Sequence, residues 1–193
     1  TSKAIYIQDH ADVTIRDNEI TGCEDFFFIG GEVGDLLVEN NYMHTLNLTP
    51  DSHADGFQIG EAQVTTGTIT IRGNEIDPDA DGGKTDTLFA TNHTEADIVL
   101  ESNYFHVWGL RTLRCDAPGA TCTVRYNVYD EEFRIVETSG GKRMFLQSST
   151  DVPPVFECNR YPDGSFVVEH DVVDRVGGTD HITEGCPDFP AAP

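Results

Sequence analysis

Ile69-Thr70-Ile71-Arg72-Gly73-Asn74 is the stretch whose reading decides the fold: a short alternating run, a bend, then Asn. The phrase recurs as Val13-Thr14-Ile15-Arg16-Asp17-Asn18, Leu36-Leu37-Val38-Glu39-Asn40-Asn41 and Ile98-Val99-Leu100-Glu101-Ser102-Asn103. It returns again as Cys122-Thr123-Val124-Arg125-Tyr126-Asn127 and Pro154-Val155-Phe156-Glu157-Cys158-Asn159. The closing Asn residues are 23, 33, 29, 24 and 32 positions apart. A fixed phrase at irregular spacing is what stacked coils give when their loops vary in length on one side.

Alignment on the Asn exposes two further strands in each coil. A front strand precedes the phrase: Ala4 to Gln8, Phe26 to Gly30, Gly56 to Gly60, Thr87 to Thr91, Thr112 to Asp116 and Met144 to Ser148. A brief third strand follows it, as in Glu19-Ile20-Thr21, Tyr42-Met43-His44, Glu75-Ile76-Asp77, Tyr104-Phe105-His106 and Val128-Tyr129-Asp130. Its middle residue is apolar every time, which suits an inward position between outward neighbours. Ile15, Val38, Ile71, Leu100, Val124 and Phe156 form a second inward column, and Ile5, Phe27, Phe57, Leu88, Leu113 and Phe145 a third. No stretch holds a helical period. The Asn is expected at the bend itself, because Asn tolerates the left-handed region better than most residues other than Gly. Its amide can also bond to the Asn of the next coil.

This coil order, the Asn at the short bend and the variable loop before each front strand resemble the right-handed parallel β-helix of the pectate-lyase-like superfamily. The resemblance implies an all-β solenoid of about six coils with an Asn ladder, covering residues 3 to 165. Residues 1–165 are read as the helix domain, and residues 166–193 as a last strand and a tail over the final coil. The chain starts almost at once in a front strand, with no amphipathic cap. An uncovered coil would expose apolar side chains and strand edges. The expectation is therefore a truncated helix, a processed product, or a subunit whose first coil is covered by a partner or a missing segment.

Twelve basic residues against 34 acidic ones give a net charge of −22. That argues against nucleic acid or an anionic membrane as partner, since phosphate binding needs a basic face. No apolar run approaches the roughly 20 residues of a membrane-spanning helix. Of five cysteines, Cys115 with Cys122 and Cys158 with Cys186 are local candidates for disulfides, which leaves Cys23 over. No zinc-like spacing appears, so an oxidising compartment and a secreted protein are expected.

The long loops lead into the front strands, where the register gives a column of Asp25, Asp55, Asp86, Arg111 and Arg143. One strand position further in, the exposed column holds Tyr6, Phe28, Gln58, Phe89, Arg114 and Leu146. Lys84, Arg111, Arg114 and Arg143 gather near this face, which answers part of the objection that so acidic a chain should repel an anionic polymer. A lyase acting on a uronate must neutralise the substrate carboxylate, remove the proton beside it and assist the leaving oxygen. By resemblance, Asp55 and Asp86 would hold Ca2+, and Arg111, Arg114 or Lys84 would be the base. His53 is a further acid or base, with an unperturbed pKa near ~6.5. Gln58, Arg143, Trp108 and Tyr104 are the candidate sugar-binding residues, the two aromatics by stacking. Asp77-Pro78-Asp79-Ala80-Asp81-Gly82 matches the first half of a calcium loop, which makes Asp77, Asp79 and Asp81 further candidate ligands. His44 and His106, two coils apart, read as satisfied surface histidines. The expected function is lyase or C5-epimerase chemistry on an acidic polysaccharide. The alternatives are a non-catalytic β-helix (a binding module, adhesin or structural subunit) and a glycoside hydrolase using paired Asp residues.

Overall fold

The computed structural model describes residues 2–47, 54–60, 64–77, 86–90, 94–106, 111–115, 119–131, 144–148, 154–167, 172–174 and 180–188. The chain runs through three sheets in a constant order. The first round is β1 (Lys3–Gln8), β2 (Val13–Arg16) and β3 (Glu19–Thr21). The second is β4 (Asp25–Gly30), β5 (Glu32–Glu39) and β6 (Tyr42–His44), and the third β7 (Phe57–Ile59), β8 (Thr66–Arg72) and β9 (Glu75–Asp77). The fourth is β10 (Asp86–Ala90), β11 (Asp97–Glu101) and β12 (Tyr104–Phe105), and the fifth β13 (Arg111–Cys115), β14 (Thr121–Arg125) and β15 (Val128–Tyr129). Then come β16 (Met144–Ser148), β17 (Val155–Glu157), β18 (Val172–Asp174) and β19 (Asp180–Ile182).

The first sheet is ordered β1-β4-β7-β10-β13-β16-β18, the second β2-β5-β8-β11-β14-β17-β19 and the third β3-β6-β9-β12-β15. Every paired strand is parallel to its neighbour. Among the described residues, only the isolated bridge between Arg160 and Phe166 is antiparallel. β18 and β19 extend the first and second sheets within the residues read as a tail.

The inward columns form one core. Met43, Ile76 and Tyr129 from the third sheet, Val38, Ile71, Leu100 and Val124 from the second, and Phe27, Phe57 and Leu88 from the first are wholly buried. Phe27 and Phe57 stack with ring centroids 4.8 Å apart, the spacing between strands expressed as an aromatic pair. At the β1–β2 end the same columns are only partly covered, at Ile5, Val13 and Ile15.

Side-chain amides join the rounds at the bend after the second sheet. Asn18, Asn41, Asn74, Asn103 and Asn127 each donate from Nδ2 to Oδ1 of the Asn in the following round, at 2.9–3.0 Å. The same oxygens accept the backbone N–H of the preceding Asn. The left-handed residue, however, is not this Asn. It is the residue before it: Asp17, Asn40, Gly73, Ser102, Tyr126 and Cys158 have φ between 54° and 63°. The Asn side chain supports that bend, donating to the carbonyl two residues earlier, as buried Asn74 does to Arg72 at 3.0 Å. At Gly73 a Cβ would lie 2.6 Å from Asn40 Oδ1, so a side chain there would require the Asn40 side chain to shift.

A second column lies two residues before each Asn. Arg16, Glu39, Arg72, Glu101, Arg125 and Glu157 stand opposite one another, alternating in charge through the second sheet. Arg72 meets Glu39 at 2.8 Å and Arg125 meets Glu101 at 2.7 Å. Arg16 lies 3.9 Å from Glu39.

One expected register shifts. Phe145 is expected inside and Leu146 outside, but Leu113 pairs with Leu146 and Arg114 with Gln147. A one-residue slip exchanges the two sides of a strand. Gln147 therefore replaces Leu146 in the row with Arg114. Two residues before Leu146, Met144 rather than Arg143 stands in register with Arg111.

Both expected disulfides are present. Cys115–Cys122 ties β13 to β14, and Cys158–Cys186 ties the residue after β17 to the segment beyond β19. Cys23 is a free, buried thiol.

Candidate functional site

The best-defined polar cluster lies where the first three rounds enter the first sheet. Lys3 on β1 stands opposite Asp25 on β4. Phe57 pairs with Phe27 on one side and Leu88 on the other, so Asp55, two residues before Phe57, is in line with Asp25 and Asp86. Asp86 in turn pairs with Arg111. The entry column is therefore Lys3, Asp25, Asp55, Asp86 and Arg111.

Asp25 and Asp55 are both 0 % exposed, so they are not solvated strand ends. A buried carboxylate is costly unless charge and hydrogen bonds compensate it. Asp25 has both. Its Oδ2 is ion-paired and hydrogen-bonded to Lys3 Nζ, and its Oδ1 accepts the backbone N–H of Asp55 at 2.6 Å. Lys3 Nζ also donates to Gln58 Oε1 at 2.9 Å and lies 5.1 Å from the centroid of the Phe28 ring. One ammonium thus gathers residues from the next two strands of the sheet, β4 and β7. With both oxygens engaged, Asp25 is an anchor for Lys3 rather than an available base.

The neighbouring row runs Tyr6, Phe28, Gln58, Phe89, Arg114 and Gln147 by register. Tyr6 is exposed and stacks on Phe28 at 4.9 Å with its hydroxyl donating to Gln8 at 2.8 Å. Phe28 and Gln58 are buried, so the column expected to be exposed is open at Tyr6 but covered in the next two rounds. Burial pushes the Cys23 thiol up, with the Asp25 charge acting in the same direction. A raised thiol is a poor nucleophile, so Cys23 is no candidate for covalent chemistry.

The third sheet carries a separate polar set. His44 and Asp77 stand opposite one another on β6 and β9. His44 Nε2 lies 3.0 Å from Glu19, and His106 lies 3.1 Å from Glu75 and 3.2 Å from Asp130. Each histidine thus has carboxylate partners on the surface, as expected. Tyr104 donates to Asp130 Oδ1 at 2.7 Å. Burial, then the hydrogen bond and charge of Asp130 and the charge of Glu75, push its hydroxyl up to about 12.

Among the expected sugar-binding residues, Gln58 lies in the first sheet at the Lys3 cluster, whereas Tyr104 lies on the third sheet. Asp86, Arg111 and Arg114 are placed by backbone register in the first sheet. His53, Lys84, Trp108, Arg143, Asp79 and Asp81 lie outside the described residues. Of the expected calcium ligands with described side chains, Asp55 is buried at the entry to the first sheet and Asp77 ends a strand of the third. Among the described residues no three of His, Cys, Asp and Glu converge as metal ligands.

Lys3 is the residue that sequence reasoning missed. Counting two residues back from Ile5, as from Phe27 to Asp25, would have placed it at the head of the entry column. No family model, curated protein or solved structure matches this chain.

Proposed function

We propose that the three sheets wind as a right-handed parallel β-helix with the Asn column as its ladder, and that the outer side of the first sheet works on an extended acidic polysaccharide. Right-handed passage between parallel strands is strongly favoured, which supports the winding. The observation that carries the functional reading is the register: an entry column from Lys3 to Arg111 beside a row from Tyr6 to Arg114. Strands about 4.8 Å apart repeat at close to the length of one pyranose unit, so successive rounds can meet successive sugars.

The chemistry we assign is proton abstraction beside a uronate carboxylate, followed by loss of the neighbouring glycosidic oxygen or by reprotonation on the opposite face. In this reading one of Arg111 and Arg114 neutralises the substrate carboxylate as its guanidinium, and the other, held deprotonated, or Lys84 or His53 takes the proton. It then returns that proton to the leaving glycosidic oxygen, or a second of these groups protonates the opposite face. Gln58, fixed by Lys3, orients a sugar hydroxyl. Asp55 with Asp86 would hold Ca2+ in this reading and the ion would help neutralise the substrate carboxylate, while the proton steps are those of the chain's own side chains. The two disulfides support an oxidising, extracellular setting.

A second reading, binding without catalysis, is favoured by one observation. The described part of the cluster offers an ammonium, amides and aromatic rings, while its Asp25 carboxylate is already committed to Lys3. One experiment separates the two. The protein is incubated with alginate, pectate and glycosaminoglycans, with calcium or with chelator. Ultraviolet absorbance reports an unsaturated product, and proton NMR reports epimer composition. Activity abolished by Arg111→Ala or Arg114→Ala supports the enzyme. Binding with neither product supports the module, and neither product nor binding refutes both.

A further inference from the structure

The outer face of the second sheet repeats every two rounds, although its inner face repeats every round. The outward residues are Thr14 and Arg16 on β2, Leu37 and Glu39 on β5, and Thr70 and Arg72 on β8. They continue as Val99 and Glu101 on β11, Thr123 and Arg125 on β14, and Val155 and Glu157 on β17. All stand in register, and every one is exposed or half-buried. Arg always accompanies Thr, and Glu always accompanies Leu or Val. A third column keeps the same phase, with Asp35, Thr68, Asp97 and Thr121 opposite one another. Ion pairing within the chain explains why Arg alternates with Glu, as in Arg72–Glu39 and Arg125–Glu101. It does not explain why the middle column alternates in step. The arginines also remain open to the outside, with side chains 47 % exposed at Arg72 and 39 % at Arg125.

We propose that this face pairs with the same face of a second copy, the two stacks antiparallel about a two-fold axis. The axis lies along the strands, between β8 and β11, and sets each round against one of the opposite type. Arg72 then meets Glu101 of the second copy, Glu39 meets its Arg125, and Arg16 meets its Glu157. Each Leu or Val meets a Thr. Asp35 meets Thr121 and Thr68 meets Asp97, so in these columns no acid faces an acid. A two-fold along the stack would instead set Glu39 over Asp35 and Glu101 over Asp97, acid on acid. Face-to-face sheets keep their strands nearly aligned, which the antiparallel axis allows and which opposes the columns best near that axis. The charge column holds three Arg and three Glu per copy, so it adds no net repulsion to a chain of charge −22. Six strands at about 4.8 Å and five residues at about 3.3 Å make a face of roughly 29 by 16 Å, so the dimer is small and reversible. The match depends on the alternation, not on either end of the stack. It lies on a different sheet from the polysaccharide reading and is independent of it.

Sedimentation equilibrium of the full chain at physiological salt, from about 1 μM to about 1 mM, should show monomers in equilibrium with dimers. Arg72→Glu and Glu101→Arg should each weaken the dimer at least tenfold, because like charges then meet across the axis. An equimolar mixture of the two variants should recover it, since the acid introduced in one copy faces the base introduced in the other. A role confined to one chain predicts no such rescue. Thr70→Glu lies outside the ion pairs within the chain and sets a carboxylate between Asp97 and Glu101 of the second copy. It should abolish the dimer, and it decides the matter if circular dichroism shows that a charge reversal unfolds the chain. A monomer across the whole range, a dimer indifferent to these substitutions, or a mixture of folded variants no tighter than either alone overturns the proposal.

Discussion

Replacing Asn74 by alanine removes the side chain at the middle of the amide column. That side chain accepts from Asn41 N at 2.9 Å and Asn41 Nδ2 at 3.0 Å, and donates to Val38 O, Arg72 O and Asn103 Oδ1, each at 3.0 Å. Asn41 Nδ2 keeps two carbonyl acceptors, and Asn103 Oδ1 still accepts the Asn74 backbone N–H. The Asn41 N–H loses its side-chain acceptor in a buried place. An orphaned buried donor costs about 1–3 kcal/mol and each weakened bond about 1 kcal/mol, so the total is about 4 kcal/mol. For a chain of this length that corresponds to a fall of about 8–16 °C in Tm. Urea denaturation with an unchanged slope is the assay. Asn18→Ala is the control: Asn18 is exposed and its side chain donates to Arg16 O and Asn41 Oδ1, so its loss should cost about 1 kcal/mol or less. Asn74→Gly should be no better than alanine, because Gly73 already holds the left-handed position. Equal costs at residues 18 and 74, or rescue by glycine, would refute the reasoning.

Three further outcomes follow from the same geometry. Lys3→Ala leaves Asp25 without its ammonium and should cost about 3–5 kcal/mol in urea denaturation, whereas Lys3→Ala combined with Asp25→Asn should recover part of the loss. Replacing Cys158 and Cys186 by Ser opens a 28-residue connection and should cost about 3.6 kcal/mol, against about 2.4 kcal/mol for the 7-residue connection of Cys115 and Cys122. Tyr104 keeps its proton in the folded state up to about 12 but loses it near 10 when unfolded, so stability should fall as pH rises between those values. Tyr104→Phe should flatten that fall in alkaline urea titrations.

The fold was legible because its evidence is periodic. Ile71, Leu100 and Val124 recur two residues apart from their inward neighbours and at a constant distance from an Asn, and a buried face leaves little freedom in such a register. The bend was misassigned because Asp17, Asn40, Gly73, Ser102, Tyr126 and Cys158 share no residue type. Their common backbone state comes from the Asn that follows each of them. The sixth front strand slipped because Met144-Phe145-Leu146 is continuously apolar and carries no alternation to reveal which side faces in. The sequence reading overlooks the Arg–Glu column, although aligning the phrases puts it two residues before each Asn.

The candidate site was less legible. Asp25 and Asp55 were placed in the correct column, but burial depends on what packs around a residue, and their full coverage has no signature in the local phrase. Lys3 lay one round before the first counted acid, so its pairing with Asp25 was overlooked. Tyr104 is a candidate for sugar stacking from its aromatic ring alone. Its third-sheet position follows from pairing with Glu75 and Val128, both already aligned as third-strand residues.

The most direct test of the account is an amide chemical-shift map recorded while a short oligouronate is added to the full chain. Perturbations centred on Tyr6, Phe28, Gln58 and Phe89, running across β1, β4, β7 and β10, are the predicted result. Perturbations confined to the second or third sheet, or none at saturating oligouronate, would contradict it.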